Sequence, residues 1–499
     1  MEPSPFKSRS APPKASAMVE ALRGLGYNVQ TALADIIDNS IAAGANEVRL
    51  KFEWADEASL ISCLDNGRGM TESELDRAMR LGERNPLEER TSADLGRFGM
   101  GLKTASFSQC RRLTVATTIT EGEVHCLRWD LDFLASSADD GWHLLEGPHP
   151  GSEAHISRLS KQPSGTLVLW ELLDRIVTKG STVKDFLNLA DKVEQHLGMV
   201  FHRYLEGSKP RLRILLNDRP VKPWDPFMSS HPAKPFNPPP FRHHSAVGIV
   251  AECHVLPHKD RLTPSEFDNL SGPEGWTAQQ GFYVYRNERL LVAGSWLGLG
   301  SGRSWTKDEA HRLARIRLDI PNSADADWKI DIRKSTARPP VYLRSWLTSL
   351  AEETRSRARR AFAHRGKPIL MGNKQLIEAW RVEQLSSGVR YRIDSEHPAV
   401  RAVLDEAGML LPQIKAMMRV IEETVPVQRI WIDTAESKDT PATGFDQTPP
   451  EEVYEVLNIM YRSFVKKKGY SPASAKAQLR ITEPFHAFPS LVDSLPDNI

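Results

Sequence analysis

The sequence predicts an α+β protein of several domains, and three observations carry that expectation. From Met18 to about Arg175, helical patterns alternate with short strand-like runs, "EVRLKF", "SLISCLD", "RLTVATTI" and "GTLVLWE", the mark of a mixed α/β layer. Beyond a long amphipathic stretch, "VKDFLNLADKVEQHLGMVFHRYLEG", a second set of strands begins, including "LRILLN", "GFYVYR" and "ARIRLDI". After "RKSTARPP" the pattern turns helical and basic, with Arg355, Arg357, Arg359, Arg360 and Arg365 close together. A chain of 499 residues can hold two or three domains with real cores.

In "ALADIIDNSIAAGA", residues 32 to 45, Leu33, Ile36, Ile37 and Ile41 recur at the spacing of an apolar helical stripe. Asp35 and Asn39, four apart, share another face, so two oxygen-bearing side chains point to one place. That face is either solvated, the common fate of acids on an amphipathic helix, or a site; Gly44 ends the helix under both readings. "CLDNGRGM" follows a strand-like run and offers Asp65 at its end, then Gly67 and Gly69, which permit close backbone approach or simply make a tight turn. In "DLGRFGMGLKTAS", Gly96, Gly99 and Gly101 lead into a helix whose free amides can cradle phosphates, and Lys103 adds a positive charge. The spacing is neither that of a dinucleotide fold nor that of a P-loop, which disfavours both. Farther on, Phe186, Leu189, Ala190, Val193 and Leu197 line one face of a helix closed by Gly207. "ARIRLDI" sets Ile316, Leu318 and Ile320 against Arg315, Arg317 and Asp319, a strand with two unlike faces. "HPAKPFNPPP" reads as an extended surface loop. Trp224 and the aromatics of "GFYVYR" are expected to pack in a core rather than to stack on nucleic acid.

With 40% hydrophobic and 26% charged residues the composition is that of a soluble globular protein. Its formal net charge of +1 leaves any nucleic-acid contact to a local basic patch. Cys63, Cys110, Cys126 and Cys253 form neither CxxC pairs nor a disulfide framework, which fits a reducing cytoplasm. No apolar run approaches the ~20 residues that span a bilayer, so no membrane association is expected. "MEPSPFKSRSAPPKAS" lacks the apolar core of a signal peptide and reads as a disordered tail over residues 1–17, an organelle transit peptide being the alternative. The histidines, His243 and His244 included, show no ligand spacing with cysteines or acids, so no zinc site is expected.

Taken in order, the acid-plus-Asn helix, DNGxGM after a strand, GxxGxG before a helix, and "SGTLVLW" resemble the Bergerat-type nucleotide-binding domain of the GHKL superfamily: gyrase, the ninety-kilodalton heat-shock chaperone, histidine kinases and MutL. "DNSIAAGA" resembles the MutL-type helix, and "GRFGMGLKTAS" resembles the MORC-type ATPases and their bacterial relatives. The resemblance implies an ATP-binding α/β sandwich over residues 18–180, a ribosomal-S5-like transducer over 181–343, and a helical or mixed region over 344–499. Asn39 matches the Mg2+-binding Asn, an amide oxygen being a hard ligand. Asp65 matches the acid that accepts a hydrogen bond from the adenine amino group, with Gly67 beside it and Gly69 and Met70 lining the base pocket. Gly96, Gly99, Met100, Gly101 and Lys103 would hold the phosphates, in a lid from about Leu81 to Phe98. Thr166 matches the threonine that supports the adenine-binding acid. Asp35 stands where MutL and MORC carry a glutamate as general base; it has the same chemistry on a side chain one methylene shorter, which implies slow turnover. Asp38, about 100° around the helix from Asn39, is expected to make a structural bond. "WKIDIRKSTARPP" resembles the transducer segment whose lysine reaches the γ-phosphate, Lys334 being the first choice and Lys329 the alternate; a solvated basic strand end fits the same residues.

As function, the resemblance implies a Mg2+-dependent, slowly hydrolysing ATP switch or clamp that dimerises on ATP. No nuclease motif of the MutL type and no kinase phospho-acceptor helix is evident, so the output belongs to a partner or to a clamped polymer. One reading is a clamp on duplex DNA in bacterial antiphage defence, working with a nuclease or restriction component. The other is a chaperone-like or scaffold ATPase clamping protein partners.

Overall fold

The computed structural model describes residues 9, 13–24, 26–82, 101–233, 238–243, 246, 248–324, 327–330, 336–363, 370–371, 374–375, 377–385, 388–430 and 451–497. Gly96, Gly99, Met100 and Lys334 lie outside them, as does most of the expected lid. The chain divides into two compact units, Met1–Arg365 and Gly366–Ile499.

The first unit opens with helix α1 (Ala15–Arg23), which starts inside the stretch expected to be a disordered tail because Ala15 and Val19 reach the core. α2 (Val29–Ala42) follows, its first turn capped by the Asn28 side chain, which accepts from Thr31 N. Leu33, Ile36 and Ile37 are buried as the periodicity requires. Gly44, at φ +78°, ends the helix. Strands β1 (Glu47–Glu53) and β2 (Leu60–Asp65) pair antiparallel. α3 (Glu72–Met79) begins with a reciprocal cap between Thr71 and Glu74. α4 (Gly101–Phe107), β3 (Arg112–Thr118), β4 (His125–Asp130), α5 (Leu131–Ser136), β5 (Leu145–Glu146), α6 (Glu153–Ile156) and β6 (Gly165–Glu171) complete the region up to residue 180.

The sheet does not stop there. α7 (Val183–Val200) lays Phe186, Ala190, Val193 and Leu197 back on the first core. After the short α8 (His202–Leu205), β7 (Arg213–Leu216) pairs parallel with β1 and is followed by β8 (Arg219–Pro220). The result is an eight-stranded sheet in the order β5-β4-β3-β6-β2-β1-β7-β8. Its inner side chains, among them Val48, Leu50, Ile61, Leu113, Val115 and Trp170, share one core with α1, α2, α4 and α7. The chain leaves the first sheet only after β8, later than the residue-180 boundary that its motifs suggested, because the apolar face of α7 packs on the first core and β7 pairs with β1.

A second sheet, in the order β12-β11-β13-β10-β9, is built from β9 (Phe241–Arg242), β10 (Val250–Val255), β11 (Gly281–Arg286), β12 (Arg289–Ser295) and β13 (Ala314–Ile320), with α9 (Pro264–Leu270) between β10 and β11. The two faces of β13 separate as its alternation predicts: Ile316, Leu318 and Ile320 enter the second core. Helix α10 (Val341–Ala363) joins that core through Leu343, Leu347, Leu350, Ala351 and Ala358, so the basic helix expected to open the third region covers the second sheet instead. The aromatics of "GFYVYR" are buried, as expected: Tyr283 and Tyr285 cluster with Met199 and Phe227 on the opposite side.

The second unit contains a core of Leu457, Met460, Tyr461, Phe464, Ala475, Leu479 and Phe485, formed mainly by helices, and two hairpins of two strands each. The whole is an α+β protein with a helical C-terminal region, as the sequence predicts. Among the described residues no helix is long and apolar enough to cross a membrane.

Candidate functional site

Three neighbouring strands assemble one end of the site. β2, β6 and β3 stand side by side in a register that pairs Asp65 with Thr166 and Thr166 with Thr117. Asp65 closes β2, almost buried, and its carboxylate accepts hydrogen bonds from three groups. Ser40 Oγ donates to Oδ2 at 2.8 Å, Gly67 N to Oδ1 at 2.9 Å and Thr166 N to Oδ1 at 3.3 Å. Burial raises its pKa above the usual carboxylate range, and the three donors pull the other way. Thr166 therefore supports Asp65, but through its amide; its hydroxyl lies 3.1 Å from that of Thr117. Thr117 Oγ1 in turn donates to Gly165 O at 2.9 Å and accepts from Met70 N at 2.9 Å, which ties the DNGxGM turn to the sheet.

The glycines of that turn answer to packing. Gly69 has φ +71°, and a Cβ there would lie 1.9 Å from the Thr118 carbonyl oxygen. Gly67 has Ala43 and the Asp65 carboxylate against it, a Cβ falling 2.9 Å from Ala43 Cβ. No side chain fits at either place without displacing backbone.

α2 supplies the other end. Ser40 faces Asp65, while Asn39, one residue earlier, is exposed and its amide has no hydrogen-bond partner among the described residues. Asp35 and Asp38 are not on a solvated face: they are only 5% and 2% exposed. Tyr27 Oη donates to Asp35 Oδ2 at 3.0 Å. Arg289 Nε reaches Asp38 at 3.2 Å and Arg289 Nη2 lies 3.7 Å from Asp35 Oδ1. Asp38 thus makes the structural bond expected of it, with a partner from the second sheet. Gly101, the first residue of α4, sits beside this pair, since a Cβ on it would come within 3.9 Å of Asp35 Oδ2.

Lys103 is engaged with the end of α3. Its ammonium, on a side chain buried in the core, donates to Ala78 O at 2.7 Å and Arg80 O at 2.8 Å, capping the end of α3 rather than facing outward as a phosphate ligand. The carbonyls at a helix C-terminus carry partial negative charge, which makes them a natural seat for a buried cation. Lys329, the alternate transducer lysine, is exposed with φ +46° in the turn after Trp328.

The structure therefore joins Asp65, Gly67, Gly69, Met70 and Thr166 in one cluster, links it through Ser40 to Asn39, and sets Asp35 and Gly101 together. The sequence reading missed Tyr27, Ser40, Thr117 and Arg289. Ser40 could have been found from its place beside Asn39 on the same helix; the other three carry no local signal. One histidine also departs from expectation: His202, Glu206 and Asp225 bring ligand atoms within 4.8 Å of one another. His202 is nonetheless engaged by Glu206 and, at 2.8 Å, by Tyr285 Oη.

Residues 27–166 match the family model described as histidine kinase-, DNA gyrase B-, and HSP90-like ATPase. The matched span begins at Tyr27 and ends at Thr166, so both ends of the site fall inside the part of the chain that is similar to ATPase domains of the GHKL kind. No curated protein matches the chain.

Proposed function

From the ATPase-type domain at residues 27–166 we propose that the protein binds ATP with Mg2+ and hydrolyses it slowly, as a switch that dimerises on ATP and acts on duplex DNA. The observation that carries the nucleotide reading is the Asp65 cluster: a nearly buried carboxylate, oriented by Ser40, Gly67 and Thr166, at the end of a strand. In this reading Asp65 accepts a hydrogen bond from the exocyclic amine of adenine. Gly69 and Met70 lie against the base. Gly101 and the segment before it, including Gly96, Gly99 and Met100, approach the phosphates.

The donor set suits the metal: Asn39 presents a hard amide oxygen, exposed and uncommitted among the described residues, next to the serine that holds Asp65. Bound there, Mg2+ would neutralise phosphate charge. Asp35 would take the proton from the attacking water, with Tyr27 orienting one of its oxygens. Lys334 remains the first choice for the residue that distinguishes ATP from ADP, with Lys329 the alternate. Because Lys103 caps α3, its contribution to phosphate binding would require it to leave two carbonyls.

The DNA reading, with its setting in bacterial defence and a nuclease or restriction partner, leans on the resemblance to MORC and MutL. Support from the chain itself is narrower. Arg344, Arg359 and Arg360 on α10 are exposed, but Arg355 is stacked on Trp296 and Trp305 and paired with Asp308. The protein-clamping alternative draws on the second unit, where Met409, Leu410, Met417, Val420 and Ile421 are exposed, a patch suited to a protein partner.

The test is ATP binding by calorimetry with and without Mg2+, followed by ATP turnover in the presence of linear and circular duplex DNA. Mg2+-dependent binding and trapping on circles support the clamp. Absence of ATP binding defeats the reading, and binding without any salt-dependent affinity for DNA leaves only the protein-clamping form.

A further inference from the structure

Arg289 is one of the most deeply placed charges among the described residues of the first unit. It begins β12, immediately after a two-residue hairpin turn in which Asn287 and Glu288 take φ of +47° and +65°. The turn is fastened to α8 from outside: Tyr204 Oη donates to Asn287 O at 2.6 Å, and Arg203 lies 3.6 Å from Glu288. From that anchored tip the Arg289 side chain runs inward, about 5.9 Å from the Phe201 ring, to the acids of α2. Its guanidinium, 5% exposed, spans both of them, with Nε at Asp38 and Nη2 toward Asp35. Nη1 donates to Leu290 O at 2.7 Å, which fixes the plane of the fork.

We propose that Arg289 is the positioning residue for Asp35, so that the second sheet must be docked, hairpin and all, for the acid on α2 to be held in the orientation hydrolysis needs. This rests on the reading of Asp35 as general base. Two carboxylates three residues apart on a buried helix repel each other and lose hydration, and a single planar cation between them relieves both effects. Asp35 is then gripped at each oxygen: Tyr27 donates to Oδ2 and Arg289 faces Oδ1. A lysine could satisfy the charge from one point, but it lacks the planar fork that here meets Asp38, Asp35 and the Leu290 carbonyl with three separate nitrogens.

The experiment measures ATP affinity and single-turnover hydrolysis, with Mg2+, for Arg289→Met, Arg289→Lys, Asp38→Asn and Asp35→Asn in the full chain. Arg289→Met is expected to lower kcat by roughly tenfold or more while the ATP Kd stays within about threefold, since the Asp65 cluster is untouched. Arg289→Lys should fall between that variant and the wild type. Asp38→Asn should resemble Arg289→Met, and the double variant should be no slower than the slower single one, because both act through the same pairing. Should Arg289→Met fail to fold, Arg289→Lys decides alone, by a lowered kcat at unchanged Kd. Wild-type turnover in both Arg289 variants, or affinity falling in step with turnover, overturns the proposal. The parallel Asp35→Asn variant separates the two levels: if it is inactive while the Arg289 variants are fully active, only the positioning role is lost. If it hydrolyses ATP like the wild type, the base assignment fails and the positioning role with it.

Discussion

Asp65 is a carboxylate met by a hydroxyl and two backbone amides, all of them able to donate. Replacing it with asparagine keeps the volume but turns one acceptor into a donor, which opposes at least one of those neighbours and, in the proposed binding mode, would oppose the adenine amine. Charge-assisted bonds of this sort are worth about 1.5–3 kcal/mol, so Asp65→Asn should weaken ATP binding by about tenfold to hundredfold in calorimetry. Unchanged affinity would reduce Asp65 to a turn residue. Asp35 calls for a different readout. Asp35→Asn should bind ATP normally and lose about 10² to 10⁴ in turnover, because the nucleotide is held elsewhere. Asp35→Glu would supply the longer acid that the resemblance to MutL and MORC implies, yet Tyr27, Arg289 and Gly101 lie close against Asp35. The added methylene is expected to cost about 1–3 kcal/mol of stability, read as a lower midpoint in denaturant, unless Tyr27 moves aside.

At the scale of elements, α2 does two jobs that its sequence mixes together. Leu33, Ile36 and Ile37 hold it to the sheet, while Asp35, Asp38 and Ser40 point to partners outside the helix and Asn39 faces solvent. α7 lies against this helix and carries His196, whose pKa is pushed down to about 4, first by burial and then by the positive charge of Arg289. The folded state thus resists protonation that the unfolded chain accepts near 6.5. The stability associated with neutral His196 is present above pH 6.5 and is lost progressively as the pH falls toward 4. Thermal unfolding followed from pH 7 to pH 4.5 should show a steeper loss of midpoint for the wild type than for His196→Gln. Parallel curves would mean that the imidazole is not the group responsible. Asp65, with its raised pKa, acts in the opposite sense at lower pH, and it cancels in the comparison because both proteins contain it.

For the whole molecule, the switch reading makes a mass prediction. With a non-hydrolysable ATP analogue and Mg2+, sedimentation should shift the protein from monomer to dimer, and Asp35→Asn should accumulate the dimer with ATP itself. A monomer under both conditions would remove the ATP-driven clamp. A dimer that needs no nucleotide would point instead to the second unit. The side chains of Met409, Leu410 and Met417, exposed in the second unit, are the apolar surface such a dimer would use.

What the sequence by itself determined is what local spacing can encode. The stripe of Leu33, Ile36 and Ile37, the Gly44 stop, the strand ending in Asp65 and the two unlike faces of β13 all follow from side-chain periods within a few residues of one another. Asp35, Asn39, Asp65 and Gly69 were legible as a group because their motifs come in a fixed order along the chain. The tertiary structure decided the rest, through pairs that no window could contain. Asp65 and Thr166 are 101 residues apart and Asp38 and Arg289 are 251 apart, yet each pair is in contact. Lys103 reads as a phosphate ligand from its neighbours in sequence, but its side chain is buried and donates to the carbonyls of Ala78 and Arg80, more than twenty residues earlier. Where the first sheet ends and which core claims α10 were settled in the same way, by the apolar area that each helix had to cover.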